Sequence, residues 1–124
     1  MQLHLERPDY ACFLRGADGE SALVNDRTLH RSFCVSPEAL VEDWPYRDAA
    51  TLPPEALEPL LALQPELIVL GTGAAQAFPP PATLAAALRR GVGLEAMTNA
   101  AAARTYSVLA GEGRRVVAAF VLPG

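Results

Sequence analysis

The sequence predicts an α/β fold built on a mixed β-sheet, and three observations carry that prediction. Residues 67–70, Leu-Ile-Val-Leu, form an unbroken apolar run ending at Gly71-Thr72-Gly73, as expected of a strand covered on both faces. From there onward, helix-like and strand-like patterns alternate. Before it, short apolar runs separated by turn residues read as an N-terminal antiparallel meander.

Taken in order, residues 10–15 make a first strand, closed by the turn signal Gly16-Ala17-Asp18-Gly19. Residues 21–24 return, and Asn25-Asp26 turn again because both side chains bond their own backbone and tolerate a left-handed conformation. Leu29, Phe33 and Val35 then alternate with His30, Ser32 and Cys34, which predicts the third strand of the meander. His30 belongs on its solvent side, and His4 to a loose end. Leu40 to Trp44 adds a short edge strand before Pro45. Trp44, the only tryptophan, reads as a core anchor or as a ligand platform.

Pro59 lacks the N–H that a helix interior needs, so it belongs in the first turn of a short helix over 57–63, ended by Pro65. After the central strand, Pro79-Pro80-Pro81 opens a helix over 83–90. Its terminal Arg89 and Arg90 suit the negative helix end, and Gly91 suits the residue just past it. Residues 92–97 form a strand. Thr98 or Asn99 caps a helix to about Ala110, and Val116 to Leu122 completes the β-α-β-α-β half. Strand-helix-strand spacing of this length implies parallel crossovers.

A chain of 124 residues with 51% hydrophobic content fits a single domain, residues 1–124, with its own core. The net charge of −4 argues against nucleic acid as a partner. All ten basic residues are arginine. Two cysteines, Cys12 and Cys34, make neither a disulfide framework nor a metal site, and reduced buried thiols are expected. The opening MQLHLERPDY has no secretory pattern, and no apolar run approaches the ~20 residues of a membrane span. A cytoplasmic protein is the default expectation.

Chemistry in such a sheet is expected beyond the carboxyl ends of parallel strands, where helix N-termini turn backbone N–H groups outward. Two loops converge there, Gly71-Thr72-Gly73 running on to Phe78 and Pro81, and Thr98-Asn99. Arg104 and Ser107 share a face of the following helix by their spacing of three. Gly71, Thr72, Gly73, Phe78, Thr98, Asn99, Arg104 and Ser107 are therefore the candidate ligand-binding residues, for an anion or a small polar molecule. Each has a plainer reading: the glycines as tight packing at a turn, Arg104 as a surface cation or a partner of Glu112.

No catalytic constellation is visible, and no cofactor is implied. GTGAAQ supplies two of the three glycines of a dinucleotide loop, and no lysine exists to follow a phosphate loop. NAD and ATP are accordingly expected to bind no better than roughly millimolar, about −4 kcal/mol. Calorimetry returning micromolar affinity for either would overturn that expectation.

The segments ELIVLGTG, FPPP and GVGLEAMTNAAAARTYSVLAGEGRRVVAAFVLP, with SPEALVEDW upstream, resemble the Mth-like family of unknown function. The likeness runs from Tyr10 through nearly all of the chain. Members of that family include a mitochondrial respiratory complex I assembly factor and an adipogenesis-associated protein. The resemblance implies a three-layer α/β sandwich around a central mixed sheet. It also implies assembly or protein contact for some relatives, with no established enzymatic activity. The chain departs from the family pattern at Thr98-Asn99 (Asp-Thr in relatives), Ala103 (Cys) and Ser107 (Asn), which removes thiol chemistry from that helix. The combined expectation is a non-catalytic binding or assembly-type factor with an unnamed protein partner. The expected contact surface is the loop from Ala74 to Pro81 with Trp44 and Tyr46. The alternative is a small-ligand protein, or minor enzyme, using the Gly71 and Thr98 loops.

Overall fold

The computed structural model describes residues 10–124, so the expectation for His4 lies outside the described residues. Among the described residues eight strands and three α-helices follow one another: β1 (Leu14–Ala17), β2 (Ala22–Val24), β3 (Arg27–Leu29), β4 (Arg31–Val35), β5 (Leu40–Val41), α1 (Glu58–Leu61), β6 (Leu67–Gly71), α2 (Pro81–Arg89), β7 (Gly93–Met97), α3 (Asn99–Gly111) and β8 (Val116–Pro123). Tight helical turns at Ala49–Thr51 and Pro54–Leu57 lead into α1.

Strands β1-β2-β3 form a small antiparallel sheet, and the other five form a mixed sheet in the order β5-β4-β8-β6-β7. Strand β6 runs parallel to both β7 and β8, while β4 pairs antiparallel with β8. Strand β8 is the centre of the mixed sheet, and its residues feed two cores alternately. Val116, Ala118, Phe120 and Leu122 join the meander and α3 on one face. Val117, Ala119 and Val121 join Trp44, α1 and α2 on the other. Two covered faces explain why this strand is apolar at every position from Val116 to Leu122. The layers are those of a three-layer α/β sandwich.

One expectation needs correction. The third strand of the meander is Arg27–Leu29 alone, and the chain then changes sheets: Arg31–Val35 pairs with β8 instead of continuing the meander. The ladder slips between Arg31 and Phe33, and Ser32 repairs it. Its buried hydroxyl accepts from Leu122 N–H at 2.8 Å and lies 3.3 Å from Leu122 O, to which it donates. Beyond the slip Phe33 faces Phe120, with their rings stacked 5.1 Å apart. The alternation read from Leu29 to Val35 survives the change of partner: Phe33 and Val35 enter one core and Cys34 the other, while His30 is exposed.

The helix boundaries have local causes. Pro59 occupies the first turn of α1, and Pro81 is the first residue of α2, where a missing N–H costs nothing. Gly91 ends α2 with φ +72°. Both cysteines are free and buried, and desolvation raises both thiol pKa values, so neither is a ready nucleophile.

Candidate functional site

The carboxyl ends of β6 and β7 meet the start of α3, where the sequence places its candidates. Thr98 is the cap: its Oγ1 accepts from Ala101 N–H at 3.3 Å. Asn99, the first helical residue, is fully buried, and its side chain is directed inward across the molecule.

Four hydrogen bonds leave Asn99. Its backbone N–H donates to Gly73 O at 2.9 Å, and Gly73 N–H donates back to its Oδ1 at 3.0 Å. Its amide Nδ2 donates to Asp18 O at 2.9 Å and to Val121 O at 3.0 Å. A single amide thus joins the β1-β2 turn, the loop after β6, the end of β8 and the start of α3. Gly73 meets it with φ +101°, a conformation that only glycine adopts without strain. Gly71 leaves the room: a methyl group there would collide with Asn99 Oδ1 and with the Phe120 ring.

Thr72 organises the next turn. Its N–H donates to Met97 O at 2.8 Å, and its hydroxyl donates to Ala75 O at 2.7 Å while accepting from Ala77 N–H at 3.1 Å. Gln76 Nε2 donates to Ala96 O at 3.1 Å, tying the loop to an outward carbonyl of the edge strand β7. Pro79 is buried, and Pro80 O accepts from Thr83 and Leu84 at the entry to α2. Between these anchors Phe78 stands 67% exposed.

The structure therefore bonds Gly73 to Asn99, packs Gly71 closely against the same amide and sets Thr98 beside it as the helix cap, with Thr72 organising the next turn. Ser107 lies further along α3 and donates to Leu14 O at 3.3 Å, holding the helix to the meander. Arg104 is exposed and has no ion-pair partner among the described residues. The backbone donors of Thr72, Gly73, Asn99 and Ala101 are all engaged within the chain. Sequence reasoning missed Asp18 and Val121 as members of this region, because each is distant along the chain and carries no motif.

Trp44 has to be withdrawn from the expected contact surface. It is 2% exposed, and its Nε1 donates to Ala56 O at 2.9 Å, which makes it a core anchor. Tyr46 is half-buried and packs edge-on against it, ring centres 5.2 Å apart. Among the described residues no three His, Cys, Asp or Glu side chains gather as a metal site, and no helix is long and apolar enough to cross a membrane.

A central mixed sheet covered on one side by a meander and α3, with its loops locked by a buried asparagine, defines a small three-layer α/β domain. The chain belongs to the family described as protein of unknown function (DUF498/DUF598), which matches residues 15–121. It is similar to a solved protein of Xanthomonas campestris, with 54% identity over 98% of this chain and 92% of that one, and a TM-score of 0.83. A Bordetella parapertussis protein shares 32% identity over 94% of this chain and 100% of that one, with a TM-score of 0.85. A Bordetella pertussis protein described as a Mth938-like domain shares 30% identity over 100% of this chain and 94% of that one, with a TM-score of 0.83. No curated protein matches the sequence.

Proposed function

We propose that this protein is a non-catalytic binding domain of the assembly-factor kind, working through the loop from Ala74 to Pro81. The observation that carries the reading is Phe78, a large apolar side chain left 67% exposed on a loop held before it by the bonds of Gln76 and Ala77 and after it by buried Pro79 and the Pro80 carbonyl. An aromatic side chain held out in this way supplies contact area, and a loop already fixed loses little entropy when a partner closes on it. In this reading Gly71, Thr72, Gly73, Thr98, Asn99 and Ser107 are the frame, and Phe78 is the contact.

The variant Phe78→Ala with Pro80→Ala tests it. Neither side chain is buried, and the Pro80 carbonyl that receives the first helical N–H groups is retained. The melting temperature is expected to stay within about 2 °C, as for surface changes of under about 0.5 kcal/mol. A partner co-purified from the native cell with the wild-type protein is expected to be lost. Loss of cooperative unfolding would show the loop to be structural and end the proposal. The rival reading, a small anion held by the Gly71 and Thr98 loops with Arg104, predicts something else. Titration with carboxylates and phosphates would then give saturable amide shifts at Gly73, Thr98 and Asn99.

A further inference from the structure

The amino edge of the parallel strands, opposite the loops just described, gathers four of the ten arginines of an otherwise acidic chain: Arg89, Arg90, Arg114 and Arg115. Strand pairing puts them there. Leu67 lies beside both Gly93 and Val116, so the residues just before β7 and β8 share one end of the sheet. A groove of about 450 Å³ opens at this end, lined by Leu61, Gln64, Pro65, Arg90, Val92 and Arg115. Its volume is that of a small-ligand site, and the charged side chains that line it among the described residues are two guanidinium groups.

The arginines differ in what they already do. Arg114 Nε donates to Glu66 Oε1 at 3.1 Å, and the same oxygen accepts from the Arg115 backbone N–H at 3.2 Å. Glu66 is thereby committed, and Arg115 acts on it only as an added, weaker attraction. The Arg115 guanidinium is positioned by a neutral group instead: its Nε donates to Gln64 O at 3.2 Å. Gln64, in the turn that follows α1, has φ +56°, a left-handed conformation that a residue with a side chain adopts at some cost. Arg90 has no ion-pair partner among the described residues.

An ordinary role for Arg90 would be to satisfy the negative end of α2. That end is already closed by the backbone: Arg90 and Val92 N–H donate to Ala87 O, and Gly91 N–H to Leu88 O. The nearby acids Glu55 and Glu58 line a neighbouring groove, which Arg90 and Arg89 also border, without forming an ion pair there among the described residues. Two guanidinium groups that form no ion pair among the described residues, one of them fixed through its Nε, thus flank an apolar floor of Leu61 and Val92. No aromatic residue lines the groove to stack a nucleotide base.

We propose that this groove binds a small dianion with a compact apolar body, a phosphate monoester or a short dicarboxylate. The planar guanidinium of each arginine takes a pair of oxygens, and Leu61, Pro65 and Val92 receive the body. The proposal is independent of the Phe78 loop, which lies at the other end of the strands.

The test is an amide NMR titration of the whole chain at low ionic strength with phenyl phosphate and with phthalate, and with benzyl alcohol as the uncharged control. Saturable shifts at Gln64, Val92 and Arg115 are expected for at least one dianion and none for the alcohol. Whichever dianion binds tells a phosphate ligand from a dicarboxylate. Arg115→Gln and Arg90→Gln should each weaken the dissociation constant at least tenfold, and Arg47→Gln, in another groove, by less than twofold. Arg90→Gln removes no hydrogen bond found among the described residues, so its result stands even if Arg115→Gln disturbs the fold. Shifts that never saturate, that are equal in all variants, or that fall at Gly73 and Thr98 would overturn the proposal.

Discussion

Asn99→Ala is expected to destabilise the protein by about 3–4 kcal/mol, since a buried polar group stripped of its partner costs about 1–3 kcal/mol. The substitution leaves Gly73 N–H, Asp18 O and Val121 O unpaired at once. The Val121 carbonyl is buried, and the other two groups are only partly within reach of water. At roughly 4 °C per kcal/mol for a chain of this size, the melting temperature should fall by roughly 12–16 °C. Urea unfolding of the wild type and the variant checks the figure, and a loss under about 1 kcal/mol would mean that water replaces the amide. Asn99→Asp separates donor from acceptor. It keeps an oxygen for Gly73 N–H but presents oxygen to two carbonyls. The introduced carboxyl is therefore expected to have a folded-state pKa raised above its unfolded value of about 3.9. The folded state then binds more protons than the unfolded state, so the variant should be relatively steadier in acid and lose stability as pH rises through the folded pKa. A variant whose deficit is the same at pH 4 and pH 8 would contradict this account.

Gly71→Ala is expected to cost about 3 kcal/mol, at the upper end for overpacking a filled interior. The added methyl would meet Asn99 Oδ1 on one side and Phe120 Cδ1 at 2.8 Å on the other, and neither belongs to a freely moving side chain. Because one obstacle is Asn99 itself, the two substitutions should not add. In the Asn99→Ala background the same methyl has only the Phe120 ring to displace, so its cost should fall by at least about 1 kcal/mol. Additive losses in that cycle would place the strain at Phe120 alone.

How much of this was legible beforehand depends on how far each feature reaches along the chain. The β-α-β-α-β half was readable because each signal is local: Pro81 opens α2, Gly91 closes it, and Thr98 caps α3. The division of Leu29–Val35 between two sheets was not. Alternation specifies which way the side chains face, but not which strand lies alongside, and Ser32 meets Leu122 across 90 residues. The same limit applies to the candidate site. Local signals in the sequence marked the two loops that Gly73 and Asn99 join, and the cap chemistry left Thr98 and Asn99 as alternatives. The bonds that decide Asn99's role go to Asp18 and Val121, which are 81 and 22 residues away. Arg115 shows it again, since nothing near it in sequence announces Gln64 as the group that holds it.

The position of β8 carries a consequence for how the protein is made. It is the last of the eight strands to leave the ribosome, yet it lies between β4 and β6 and joins the two parts of the mixed sheet. Until it arrives, β5-β4 and β6-β7 are separate ribbons, each with an open edge and apolar faces. Such a nascent chain is a target for chaperones and for pairing with its neighbours on the same message. Stalled or truncated products ending before Val116 should therefore aggregate, and completion of β8 is the step that makes the sheet one object.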